Sequence, residues 1–105
     1  MKDVLQDLNK AFESRIRLGI MSALMVNESL DFNALKELLD ATDGNLASHT
    51  RALESLQYIE VTKTFVGRKP NTRYRINAQG RHAFEQHLAA LEKLLSQTGD
   101  QTTEV

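Results

Sequence analysis

Residues 42–54 read Thr42-Asp-Gly-Asn-Leu-Ala-Ser-His-Thr-Arg-Ala-Leu-Glu54, and this stretch decides the fold. Thr42 has the side chain of a helix N-cap, whose oxygen accepts an orphan backbone N–H, and Asp43 suits the positive end of the helix dipole. Leu46, Thr50, Leu53 and Leu56 then fall on one face at helical spacing. The spacing predicts a helix over about 43–57 whose outward face carries Asn45, Ser48, Arg51 and, in part, Ala47. Asp40-Ala-Thr-Asp-Gly44 is a turn of small and polar residues. Ahead of it, Leu35, Leu38 and Leu39 mark another short helix, capped by Asp31 or Asn33. Two short helices across a tight turn make a helix-turn-helix, read here over about 33–57.

After residue 57 the period changes. Ile59, Val61, Lys63 and Phe65 alternate among β-branched neighbours, as in a strand. Gly67-Arg-Lys-Pro-Asn71 reads as a turn. Thr72-Arg-Tyr-Arg-Ile76 alternates again, which gives an antiparallel hairpin over about 58–76. Asn77 is placed to cap a last helix over about 78–97. There Phe84, Leu88, Leu91 and Leu95 form an apolar seam, and roughly 20 residues at about 1.5 Å each give a rod near 30 Å long. Residues 98–105 read as a flexible polar tail.

On the N-terminal side, Val4, Leu5, Leu8 and Phe12 mark a short amphipathic helix within 3–12. Ser14 caps a second helix whose Ile16, Leu18, Ile20, Met21, Leu24 and Met25 cover most of its circumference, so it is expected to be central and buried. Gly19 leaves room there for close approach of another helix. Leu30-Asp-Phe32 reads as one very short strand. The expected architecture is mainly α with a small β-hairpin wing, a single domain over 1–97.

The chain has 105 residues, 41% hydrophobic and 26% charged, which is ordinary for a soluble domain. No apolar run approaches the roughly 20 residues needed to span a bilayer, and the N-terminus lacks a signal-peptide core, so a cytoplasmic location is expected. Cysteine is absent, which excludes a disulfide framework, a thiolate zinc site and a cysteine nucleophile. The formal net charge is -1, but residues 51–81 hold Arg51, Lys63, Arg68, Lys69, Arg73, Arg75 and Arg81 against only Glu54 and Glu60. A local field of that sign attracts polyanions even when the whole chain is nearly neutral.

Helix, turn, helix and basic hairpin, in that order, make a winged helix-turn-helix. The second helix of the pair enters the major groove, and the hairpin reaches an adjacent groove or phosphates. Asn45 can bridge adenine N6 and N7, and Arg51 guanine O6 and N7. Thr42 and the neighbouring amides can hold a phosphate, and Ser48 and His49 can reach phosphate or base. Lys63, Arg68, Lys69, Thr72 and Arg73 are the expected wing contacts. No phosphate loop, paired carboxylates or Ser/His/Asp signature stands out, so no enzyme, cofactor or metal is expected. His82 and His87 are five apart, which splays them around a helix. The seam of Phe84, Leu88, Leu91 and Leu95 is either internal core or a two-fold interface with a partner's Val4, Leu8 and Phe12. The interface is preferred, because small domains gain burial that way. The competing class is a winged helix that contacts protein rather than DNA.

Phe32-Asn-Ala-Leu-Lys-Glu-Leu-Leu39, Thr42 through Glu54, Tyr58-Ile-Glu-Val61, Phe65-Val-Gly-Arg-Lys-Pro-Asn-Thr-Arg-Tyr-Arg-Ile76, Gln79-Gly-Arg81 and Ser14-Arg-Ile-Arg-Leu18 carry a resemblance over about residues 12–92. The chain resembles the small winged-helix transcriptional regulators of the MarR/ArsR type. That resemblance implies a homodimeric bacterial or archaeal DNA-binding regulator, with the terminal helices forming the dimer. It carries Asn45, Ser48, His49 and Arg51 over as recognition-helix contacts, and Arg68, Lys69 and Arg73 as wing contacts. The implied partners are double-stranded DNA with a near-palindromic operator, a second copy of the chain and, where one exists, a small-molecule effector between the dimer helices and the core. Two positions depart from the pattern. Thr50 stands where Leu is usual and brings a hydroxyl into a core face, and Ala47 stands where Ser is common.

Overall fold

The computed structural model describes residues 1–96 in full and the backbone alone over 97–103. In chain order the elements are α1 (Lys2–Gln6), a 3-10 turn (Lys10–Phe12), α2 (Arg15–Val26), β1 (Leu30–Asp31), α3 (Phe32–Leu39), α4 (Asp43–Ser55), β2 (Ile59–Val66), β3 (Lys69–Ile76) and α5 (Ala78–Thr103). The expected tail at 98–105 lies outside the fully described residues.

α2, α3, α4 and α5 each begin where a short polar side chain takes up an orphan amide. Ser14 Oγ accepts from Arg17 N at 3.3 Å, and Asp31 Oδ1 from Ala34 N at 2.8 Å. Thr42 Oγ1 accepts from Asn45 N at 3.2 Å, and Asn77 Oδ1 from Gly80 N at 2.7 Å. Asp31 rather than Asn33 is therefore the cap of α3. Asp40 closes α3 in the left-handed conformation, at φ 50°. The exposed Lys36–Asp43 pair, 2.7 Å, spans the turn between α3 and α4.

The sheet order is β1-β3-β2, antiparallel throughout, with Val61 opposite Tyr74 and Lys63 opposite Thr72. The hairpin turn is shorter than expected. Only Gly67 and Arg68 lie between the strands, and Gly67 alone takes positive φ (65°), as the first central place of a type II′ turn requires. Lys69, Pro70 and Asn71, read from the sequence as turn, belong to β3. A two-residue turn makes Val66–Lys69 a hydrogen-bonded pair and the next, Phe65–Pro70, a non-hydrogen-bonded one. Proline's missing donor therefore faces away from β2, on the side where β1 pairs only as far as Arg73.

Helices α2, α3 and α4 pack on the sheet through Ile20, Met21, Leu24, Leu35, Leu46, Leu53, Ile59 and Tyr74. Gly19 admits the close approach expected of it, since a Cβ there would lie 2.6 Å from Leu39 Cδ2. α2 is less enclosed than its sequence implies, and Leu18 reaches solvent; so do Leu38 on α3 and Leu56 after α4. Thr50 is buried, and its hydroxyl donates to the Ala47 carbonyl at 3.1 Å, so the departure from Leu leaves no polar atom unsatisfied.

The N-terminal segment is not one helix over 3–12. It breaks after α1, because Asn9 is recruited from afar. Asn9 N donates to His87 Nδ1 at 3.0 Å, and Asn9 Nδ2 to the Tyr58 hydroxyl at 3.1 Å. Phe12 then enters the core, edge-on to Phe84 at 5.2 Å and 5.4 Å from the His87 ring. Of the expected interface residues, Val4, Phe12 and Phe84 are thus buried within their own chain, and Leu8 is half-buried. Leu88, Leu91 and Leu95 stay exposed along α5.

Candidate nucleic-acid interface

Burial of Leu46, Thr50 and Leu53 fixes the roll of α4 and leaves Asn45, Ser48 and Arg51 exposed, with Ala47 half-buried. Alternation along the hairpin sorts its side chains onto two faces. One face carries Val61, Lys63, Phe65, Pro70, Thr72 and Tyr74. Ala47, Thr50 and Arg51 of α4 and Val61, Lys63, Thr72 and Tyr74 of the hairpin line one open groove. The structure thus brings together five of the expected contact residues across two elements: Ala47, Arg51, Lys63 and Thr72 in the groove, with Ser48 on the adjoining helix face. Burial pushes the Tyr74 phenol up; the Thr50 hydroxyl opposes this and Glu54, which also lines the groove, adds to it, so the phenol stays neutral.

The opposite face of the hairpin behaves differently. Arg73 donates to Ser29 Oγ from Nε at 3.2 Å and from Nη2 at 2.9 Å, and its Nη1 lies 3.9 Å from Asp31 Oδ2. Arg75 lies 3.6 Å from Glu28. Arg73, expected as a wing contact, ties the hairpin to the segment before α3. The cationic stretch is therefore divided. Arg51, Lys63, Arg68 and Lys69 have no ion pair among the described residues and are exposed, with Arg68 at the turn.

His49 is half-buried. Its Nδ1 accepts from Arg17 Nε at 3.0 Å, so the ring turns toward α2 rather than straight outward. Burial pushes its pKa below the usual value, and the Arg17 charge adds to this, so the ring is held neutral. Arg17 was not singled out from the sequence. The pair joins positions 32 residues apart, and only the Ser14-Arg-Ile-Arg-Leu18 segment pointed to that region. Thr42 spends its acceptor on capping α4, which leaves its hydroxyl hydrogen free to donate. His87 is structural, as its contacts with Asn9 and Phe12 show, and His82 is exposed.

The base of the wing is locked to α5. Gln57 takes a left-handed conformation (φ 63°), Asn77 Nδ2 donates to its carbonyl at 2.8 Å, and Asn77 N donates to Tyr58 O at 3.2 Å. Gly80 rests on the Tyr58 backbone; an added Cβ would overlap Tyr58 O and lie 2.7 Å from its carbonyl carbon. Sequence reasoning assigned Gly80 no role, although the quoted Gln79-Gly-Arg81 contains it.

Comparison with known proteins agrees with this geometry. A winged-helix DNA-binding domain family matches residues 16–95. An uncharacterised protein of Methanocaldococcus jannaschii is 35% identical over 85 residues, covering 81% of this chain and 92% of that one. Among solved structures, a transcriptional regulator homologue from Pyrococcus horikoshii superposes with a TM-score of 0.81 at 28% identity, covering 92% of this chain and 94% of that one. A zinc-responsive MarR family member from Lactococcus lactis has a TM-score of 0.57 at 15% identity, covering 88% of this chain and 62% of that one, a likeness of fold.

Proposed function

This chain belongs to the winged-helix DNA-binding domain family, and from that premise we propose that it is a sequence-specific regulator that binds double-stranded DNA as a homodimer and represses by occupying promoter DNA. The observation that supports this reading is the open groove lined by Arg51 of α4 and Lys63 of the hairpin, two exposed cations on one surface. α4 enters a major groove, where Asn45, Ser48 and Arg51 select bases. Thr42, Lys63, Arg68, Lys69 and Thr72 hold phosphates and set the register. His49 and Arg73 act indirectly, His49 by positioning Arg17 and Arg73 by anchoring the hairpin.

Leu88, Leu91 and Leu95 are the apolar surface we assign to the dimer, since Phe12 and Phe84 are used within the chain. A two-fold mate would place the two α4 helices about 34–36 Å apart, in successive major grooves of a near-palindromic site. An effector would act between α5 and the N-terminal arm by changing that separation. The setting is the cytoplasm of a bacterium or archaeon; no helix among the described residues is long and apolar enough to cross a membrane.

The test is selection of bound duplexes from a random pool, followed by two variants. Arg51→Ala is expected to relax the preference at one position by about 1–3 kcal/mol. Arg68→Ala with Lys69→Ala is expected to weaken all duplexes alike and to lower the salt slope by roughly one per lost phosphate contact. Identical behaviour of the two variants would end the division of labour. No selectable duplex at low salt would point instead to a protein-contacting winged helix.

A further inference from the structure

The hairpin exposes an apolar pair where phosphate contact alone calls for none. Phe65 is 69% exposed and Val66 63%. Phe65 lies opposite Pro70, on the face that carries Val61, Lys63 and Thr72 and so continues the groove of Arg51. Val66 points to the other face, opposite Lys69. At about 3.3 Å per residue, Phe65 stands roughly 7 Å farther along the strand than Lys63.

Along the hairpin beyond Glu60 the charge is of one sign. From Val61 to Ile76 the sequence contains no acid, and Lys63, Arg68 and Lys69 bracket the pair. An exposed ring beside a proline, with only cations along its own stretch of hairpin and Asp31 in the hollow beside Val66, Lys69 and Pro70, suits a surface with anionic rims and apolar walls. The minor groove of DNA has that character, with phosphate ridges outside and deoxyribose within. Apolar side chains of this kind enter minor grooves in other proteins and part base steps.

Resting on the DNA reading above, we propose that Phe65 and Pro70 form an apolar wedge that enters the minor groove flanking the major groove taken by α4. Arg68 and Lys69 hold the phosphates on its rims. The wedge makes the protein sensitive to bases that no polar side chain reads, because pyrimidine–purine steps unstack more easily than others.

The experiment uses the full chain and a duplex that the wild type selects from a randomised pool. Hydroxyl-radical cleavage reads deoxyribose protection in the minor groove, and dimethyl sulfate reads guanine N7 in the major groove. Phe65→Ala is expected to lose the flanking deoxyribose protection and about tenfold in affinity, with guanine protection unchanged. Val66→Ala, on the opposite face, is expected to match the wild type. Circular dichroism checks that both variants fold. A Phe65→Ala variant that keeps wild-type flanking protection overturns the wedge. So does a folded variant that loses major-groove protection as well, or one whose only change is its sedimentation state, which would assign the ring to a second copy. A wild type that selects no duplex refutes the DNA reading itself, a result distinct from any of the variant outcomes.

Discussion

Replacing Gly80 by alanine tests how the wing is fixed to α5. A Cβ at residue 80 would overlap Tyr58 O and lie 2.7 Å from the Tyr58 carbonyl carbon and 2.9 Å from its Cα, where ordinary contact begins at 3.4 Å. All three are backbone atoms, so no rotamer change relieves the clash. The helix start must move off the Tyr58 backbone, which puts the Asn77–Tyr58 and Asn77–Gly80 hydrogen bonds at risk. Overpacking of this kind costs about 1–3 kcal/mol, and a lost cap about 1 kcal/mol more. Alanine recovers about 1 kcal/mol of helix propensity. The net loss is about 1–3 kcal/mol, or a fall in Tm of roughly 5–20 °C for a domain of this size. Gly44→Ala is the control. It lies in the first turn of α4 with nothing within 4 Å of an added Cβ, so it is expected to stabilise by about 0.5–1 kcal/mol. Thermal melts at matched concentration report both. If Gly80→Ala melts with the wild type, the contact with Tyr58 does not fix α5, and the reasoning fails.

Further outcomes concern pH, the anchor and the dimer. His87 is kept neutral by burial, its largest influence, against the opposing pull of Glu13, so its folded pKa lies below 6.5. The unfolded chain therefore takes up the proton first. The His87 contribution is complete above about pH 6.5 and is lost as pH falls through the depressed folded value, with His49 acting in the same direction. Urea midpoints on either side of pH 6.5 are expected to show this loss, and His87→Phe to flatten the slope while lowering stability at neutral pH. Arg73→Ala is expected to cost about 1 kcal/mol or less of stability, since the ion pair is partly solvated, with little change in base preference. A large change in preference would return Arg73 to the DNA. Leu91→Ser with Leu95→Ser is expected to shift sedimentation toward the monomer without loss of helix content.

The capping residues were legible because a cap is a local device. Ser14, Thr42 and Asn77 each satisfy an amide three residues on, and the sequence alone identifies them. The inward face of α4 was legible for the same reason, through Leu46, Thr50 and Leu53. What escaped depends on distant partners. The break after α1 needs His87, 78 residues from Asn9, and no helical period reports that. Phe12 and Phe84 carry the same spacing signal whether they meet in one core or across two chains; only the 5.2 Å contact decides. Charge counting grouped Arg73 with Arg68 and Lys69, whereas its bonds to Ser29 and its pairing with Asp31 set it apart. Pro70 suggested a turn, because a residue without a donor is foreign to a strand unless its nitrogen faces open space.

That last placement has a wider consequence. β1 pairs with β3 only at Tyr74 and Arg73, so the outer half of β3 has an unprotected side. Such margins invite a strand from another molecule and, in a crowded cell, lead to polymerisation. Pro70 sits in the middle of that margin and offers an incoming strand no hydrogen to grip. The same residue that kept the hairpin from reading as two full strands thus guards the protein against becoming a fibre.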